Sequence, residues 1–135
     1  MTTIGIDALG LATPAFDLDL TELAQARGVA PAKFTIGIGQ DVQAVAPSSQ
    51  DAVTLGAAAA LEVLTPANRA AIGLVVLATE TGVDASKAGA LYIQALLDLP
   101  ANLRAVELKE ACYGGTAGSC WPAITSRPTS SARPW

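Results

Sequence analysis

Aliphatic runs interrupted by glycine, proline and short acidic stretches divide the chain into strand-like and helix-like segments. Ile72-Gly-Leu-Val-Val-Leu-Ala-Thr79 is the clearest of them. It is continuously apolar, as a strand covered on both faces should be, and it runs straight into Glu80-Thr-Gly-Val-Asp84. Ala105-Val-Glu-Leu-Lys109 predicts a further short strand, and Thr3-Ile-Gly-Ile-Asp-Ala-Leu9 an opening one, closed by Gly10 and Pro14. Three helices are predicted between them. The first covers roughly Leu20 to Arg27, opened by the capping-box analogue Asp19-Leu-Thr-Glu22 and closed by Gly28. The second runs from Ser48 or Ser49 and Asp51 to about Leu64, is narrow at Ala57 to Ala60, and ends at Thr65-Pro66. The third spans Ala85 to Leu99, with Leu91, Leu96 and Leu97 as packing candidates, and Pro100 closes it. Val29 to Gln40 alternates Ile and Gly too densely for a central strand. It reads either as a loop approached by a ligand or as a plain surface connection.

This order implies a layered α/β fold with a largely parallel sheet. Composition agrees: the chain is 51% hydrophobic, mostly Ala, Leu, Val and Ile, and only 4% aromatic and 15% charged. Such a chain suits one compact domain, or a piece of a larger one. A net charge of −4 without a basic cluster argues against nucleic acid and acidic membrane as partners. The amino-terminal residues lack the pattern of a signal peptide, and no apolar run reaches the roughly 18 residues of a membrane span. A cytoplasmic location with reduced thiols is therefore expected, since Cys112 and Cys120 make no disulfide framework. The chain has no histidine. With no paired Cys-x-x-Cys and no phosphate-loop motif, metal and nucleotide chemistry find no support.

Candidate chemistry concentrates in Glu107-Leu-Lys-Glu-Ala-Cys112-Tyr-Gly-Gly115-Thr-Ala-Gly118. Here a thiol falls where a strand gives way to a helix. Backbone N–H groups at a helix start favour thiolate over thiol, and the glycines after it let a substrate approach the backbone. A lone cysteine in an apolar segment is also a common core residue, so both readings stay open on these residues alone. Glu80, at the carboxyl end of the clearest strand, lies where open α/β sheets hold ligands, or is a solvated loop carboxylate. Ser119 to Trp135 breaks with everything before it, with three prolines, four serines, both tryptophans and no acidic residue. Pro122 is expected to interrupt the helix after Cys112.

Ile4-Gly-Ile-Asp7, Lys33-Phe-Thr-Ile-Gly-Ile-Gly-Gln40, Gln50-Asp51, Ala78-Thr-Glu-Thr81 and Lys109-Glu-Ala-Cys-Tyr-Gly-Gly115 occur together in one order and spacing. In these pieces the chain resembles the amino-terminal portion of the bacterial-type 3-hydroxy-3-methylglutaryl-CoA (HMG-CoA) synthases of the thiolase-like superfamily, over about residues 2 to 118. The resemblance implies the first part of a layered αβαβα fold, truncated, with residues 119–135 as an aberrant tail. It further implies acetyl-CoA and acetoacetyl-CoA as substrates, no cofactor, and a homodimer for the full-length family. Cys112 matches the nucleophile that carries the acetyl group, and Glu80 the general acid/base that removes a proton from its methyl. The stretch around Ala30, Pro31 and Lys33 matches the segment that holds CoA through its backbone, Ala30-Pro31 replacing the usual Asp-Ala or Asp-Pro. The family's histidine, which polarises acetoacetyl-CoA, lies far downstream of the matched pieces.

The abrupt change after Gly118 predicts a frameshifted or truncated reading, which the coding DNA in the other two frames would test. Two other readings compete with a synthase. One is a non-catalytic remnant that aggregates or associates with a full-length homologue. The other is a ketoacyl-ACP synthase of the initiating type. Glu80 argues against the latter, because those enzymes pair the cysteine with histidine and asparagine.

Overall fold

The computed structural model describes residues 5–125, with side chains through Trp121. Residues 12–51 form one compact unit, and the remaining described residues a second.

The larger unit is a three-layer α/β arrangement. Strands β3 (Leu74–Ala78) and β4 (Arg104–Leu108) pair in parallel, Leu74 opposite Arg104 and Ala78 opposite Leu108. The ladder runs on through the Thr79 N–H, which donates to the Leu108 carbonyl at 3.1 Å. Successive side chains of a strand point to opposite faces, and here both faces are covered. On one face Leu77 packs among Val53 and Ala57 of α3 (Ala52–Leu61) and Ala90, Ile93 and Leu97 of α5 (Gly89–Leu96) and its cap; with Leu99 these form the buried core. Burying each large member contributes about 1.5–3 kcal/mol. On the other face α6 (Gly114–Thr125) lies over Val76, Ala78 and Leu108. Gly118 allows this approach, since a Cβ there would stand 3.3 Å from Val76 Cγ1.

Helix α5 spans Gly89–Leu96, shorter at both ends than the predicted Ala85 to Leu99. At its start Asp84 Oδ1 accepts the Ser86 and Lys87 N–H groups at 2.8 and 2.9 Å, holding 84–87 in a turn that competes with helix. At its end Asp98 adopts a left-handed φ of 48°, and the Leu99 N–H returns to the Gln94 carbonyl at 3.0 Å. That is a Schellman closure with aspartate in the usual glycine position. Helix α3 likewise stops at Leu61 rather than Leu64. Thr65-Pro66, expected only to end it, also begins the short α4 (Pro66–Arg69), through a capping box between Thr65 and Asn68.

In the smaller unit β1 (Phe16–Asp19) pairs antiparallel with β2 (Val42–Val45). Helix α1 (Leu20–Ala26) starts where predicted, Asp19 Oδ1 accepting the Thr21 and Glu22 N–H groups at 2.7 and 3.1 Å. Gly28, at φ 64°, takes the left-handed position after it, and the Val29 N–H closes onto the Ala24 carbonyl. The glycine-rich loop carries one more short helix, α2 (Ala32–Thr35).

Two expectations are corrected. The opening segment is irregular over residues 5–9: it has strand-like residues but no hydrogen-bonded neighbour among the described ones, and Ile6 and Leu9 are exposed. Its first residues lie outside those described. Helix α6 runs through Pro122 to Thr125 instead of breaking. Proline's fixed φ is itself helical, so the backbone continues without one N–H donor. The rest of the predicted tail, 126–135, lies outside the described residues. Among the described residues no helix is long and apolar enough to cross a membrane.

Candidate functional site

Parallel pairing in register brings the carboxyl ends of β3 and β4 out at one edge of the sheet. Glu80 follows Ala78 by two positions, and Cys112 follows Leu108 by four. These two predicted residues are therefore delivered to the same edge by adjacent strands, where α/β sheets present their ligand sites. Both are exposed.

The thiol sits on a sharp corner. Ala111 has a positive φ of 45°, uncommon for a residue with a Cβ, and opens the 3-10 turn Ala111–Tyr113. The Tyr113 N–H donates to the Glu110 carbonyl at 3.0 Å, and α6 starts at once with Gly114. Cys112 thus stands two residues before the amino-terminal end of a twelve-residue helix. Gly114 is buried; a Cβ there would touch Ala78 at 3.4 Å, so a small residue lets the helix start lie on β3. The cysteine is an exposed free thiol and not a packed core residue.

The Glu80 turn is held by short-range bonds. The Thr81 N–H donates to Thr79 Oγ1 at 3.1 Å, and the two threonine hydroxyls lie 3.2 Å apart. Further on, Asp84 is held down at a pKa of about 2, by the Lys87 N–H first, then the Ser86 N–H and the Tyr92 hydroxyl. Tyr92 is shifted upward in return, chiefly because its O–H donates to Asp84 at 3.1 Å. The Lys87 ammonium lies 4.0 Å from the Tyr92 ring centroid, within range of a cation–π contact. This local network fixes the loop between Glu80 and α5.

Glu107 belongs to this neighbourhood and was not singled out from the sequence. Its side chain is only 7% exposed, and Oε2 accepts the Gly89 N–H at the start of α5 at 2.5 Å. Oε1 makes an ion pair with Lys109 Nζ at 3.5 Å but accepts no hydrogen bond, so proximity there is not matched by bonding geometry. The alternation Val106-Glu107-Leu108 could have flagged an acidic residue on a covered strand face. A cleft of about 450 Å³ opens beside it, lined among others by Ser86, Lys87, Glu107, Lys109 and Glu110. Neither Cys112 nor Glu80 lines this cleft.

Ala30, Pro31 and Lys33 lie in the smaller unit. Ala30 accepts the Lys33 N–H at 3.0 Å, and Pro31 caps α2 and accepts the Phe34 and Thr35 N–H groups. Lys33 is exposed, its ammonium 6.0 Å from the Phe34 ring centroid. The carbonyls of Ala30 and Pro31 are engaged in building α2, which leaves the Lys33 ammonium as the charged group of this segment.

Comparison with known proteins matches residues 1–126 to the family described as hydroxymethylglutaryl-coenzyme A synthase N terminal. A hydroxymethylglutaryl-CoA synthase of Enterococcus faecalis is 49% identical over 116 residues, 86% of this chain and 30% of that protein. A polyketide biosynthesis 3-hydroxy-3-methylglutaryl-ACP synthase of Bacillus subtilis is 36% identical over 87% of this chain and 29% of its own length. Among solved structures, an HMG-CoA synthase complexed with CoA superposes with a TM-score of 0.85 at 41% identity, covering 90% of this chain and 31% of that one. Another, in complex with 3-hydroxy-3-methylglutaryl coenzyme A, gives 0.77 at 42% identity over 90% and 30%. The chain thus spans about 30% of the length of these relatives.

Proposed function

The chain belongs to the hydroxymethylglutaryl-CoA synthase family of acyltransferases, and from that premise we propose that Cys112 is its acyl-accepting nucleophile and Glu80 its general acid/base. The Cys112 thiolate adds to the carbonyl carbon of acetyl-CoA, and the CoA thiolate leaves, taking up a proton. An acetyl thioester remains on the enzyme, which divides a difficult condensation into easier steps. Glu80 then removes a proton from the acetyl methyl, and the carbanion attacks the ketone carbon of acetoacetyl-CoA, whose oxygen takes up a proton and becomes the hydroxyl of the product. Hydrolysis of the thioester frees Cys112 and releases HMG-CoA. Ala30, Pro31 and Lys33 would hold CoA, Lys33 by its charge. The setting is the cytoplasm, where Cys112 stays reduced.

The observation that carries this reading is the register of β3 with β4, which sends Glu80 and Cys112 to one sheet edge. Cys112 takes up the acetyl group in the first half-reaction, before acetoacetyl-CoA takes part. Acetyl transfer to Cys112 is therefore the step to measure. Incubating the chain with acetyl-CoA, quenching in acid and mapping peptides by mass spectrometry should give an acetyl adduct on Cys112 that survives Cys120→Ser and disappears in Cys112→Ser. No adduct at Cys112 would refute the proposal.

A second reading is association with a full-length homologue. Strands β3 and β4 form a two-stranded sheet, which leaves each with an open edge among the described residues, and Leu61, Leu91 and Leu96 are exposed. Unpaired edges and apolar faces favour association. Size-exclusion chromatography that returns a monomer, alone and with the homologue, would eliminate it.

A further inference from the structure

Buried carboxylates are rare unless they are paired or hydrogen-bonded, because ionised oxygens lose their hydration. Glu107, 7% exposed, is such a group. Its Oε2 takes up the Gly89 N–H, one of the donors left unpaired in the first turn of α5, and its charge faces the positive end of that helix. Its Oε1 lies directly against Gly82: a side chain there would collide with Oε1 and meet Lys109 Cε at 3.1 Å. Glu107 and Lys109, two positions apart and so on one side of the chain, lie against the Gly82 turn. Gly82 comes two residues after Glu80, and Lys109 three before Cys112. The strand leading to the thiol is thus hydrogen-bonded to the start of α5 through Glu107 and packs against the turn leading away from the carboxylate.

We propose that Glu107 is a positioning residue that aims Glu80 at the acyl group on Cys112, by fixing the Gly82 turn and the start of α5 to β4. This rests on the reading of Cys112 and Glu80 given above. Glu107 acts through the turn and not on the substrate. The step it governs is proton removal from the acetyl methyl. In heavy water the Glu80 carboxylate takes a methyl proton, leaving an enolate, exchanges that proton with solvent, and returns a deuteron to the carbon. Each cycle replaces one hydrogen by deuterium and breaks no bond to sulfur.

The full chain carrying Cys120→Ser is acetylated with acetyl-CoA, transferred to heavy water, and the mass of the Cys112 peptide followed in time. In Glu107→Ala the exchange rate should fall about tenfold further than the acetyl-transfer rate, the sensitivity expected of a base moved by a fraction of an ångström. Glu107→Gln, which keeps an acceptor for the Gly89 N–H, should restore most of that loss. Ile93→Val, which loosens the core without touching Gly82, should keep the parent's exchange rate. The proposal is overturned if Glu107→Ala exchanges as fast as the parent, if Ile93→Val loses as much, or if the parent exchanges no faster than Glu80→Gln. If acetyl-CoA does not load Cys112, the proposed acetyl transfer fails on its own. The acetyl group is then installed on Cys112 with acetyl-N-acetylcysteamine, and the exchange rates of the same variants decide the role of Glu107.

Discussion

Residues 12–51 and the unit built on β3 and β4 reach ordered structure by different means. In the smaller unit Leu20 and Ala24 are buried, and most other apolar side chains, including Phe16, Ile36 and Ile38, face outward. Its shape rests on short-range hydrogen bonds: the Asp19 cap, the closure at Gly28, the α2 turn and a four-residue antiparallel ladder. The larger unit buries Val53, Ala57, Leu77, Ala90, Ile93, Leu97 and Leu99 in one cluster that ties two helices to the sheet. The difference bears on chemistry. A nucleophile and a base must be held relative to each other within fractions of an ångström. Glu80 and Cys112, the proposed base and nucleophile, both follow strands that the cluster packs against, whereas Ala30 to Lys33 sit on a locally bonded loop.

The largest test of this contrast is Leu97→Ala. With Leu97 at 3% exposure, the truncation should cost about 2–5 kcal/mol in urea unfolding. Hydrogen exchange should speed up across β3, β4 and α5 far more than in β1 and β2. If both ladders lose protection equally, the two units unfold together and the contrast collapses. A smaller effect is expected from Asp19→Ala, which removes the acceptor for two N–H groups of α1 and should cost about 1 kcal/mol, with exchange rising in α1 and not in α5. An equal rise in both helices would show that the cap is not a local device.

The smallest effect concerns pH. Asp84 titrates at about 2 in the fold against 3.8 ordinarily, so the unfolded chain binds its proton first. The ionised form therefore stabilises the fold above pH 3.8, and that contribution fades as pH falls towards about 2. In Asp84→Asn the melting temperature should vary less across this window than in the parent. Identical slopes would remove Asp84 from the set of groups holding the loop between Glu80 and α5.

Parts of both units were legible in the residues. The unbroken aliphatic run before Glu80 made β3 evident, and Asp19 with Gly28 marked both ends of α1, because caps and apolar periods are local properties. The ribbon of β1 and β2 was not legible: Phe16–Asp19 is four residues with two aspartates, too short and too polar for a period to stand out. The opening segment erred the other way, having a strand's residues without a strand's partner among the described residues. Pro122 misled because its φ permits the helix that its missing donor only weakens. Glu107 escaped notice since nothing next to it in sequence reveals that the Gly89 N–H will be waiting across the sheet.

By itself, then, the sequence singled out a thiol at a strand-to-helix junction, Cys112, and a strand-end carboxylate, Glu80, and showed which segments alternate between strand and helix. Only the tertiary structure decided that β3 and β4 pair in parallel with Ala78 opposite Leu108, that α3 and α5 cover one face and α6 the other, and that Glu107 meets the Gly89 N–H. The physical reason is range. Apolar periodicity and capping are set by neighbours along the chain, whereas strand register and the burial of a single carboxylate depend on surfaces that meet only when distant segments pack.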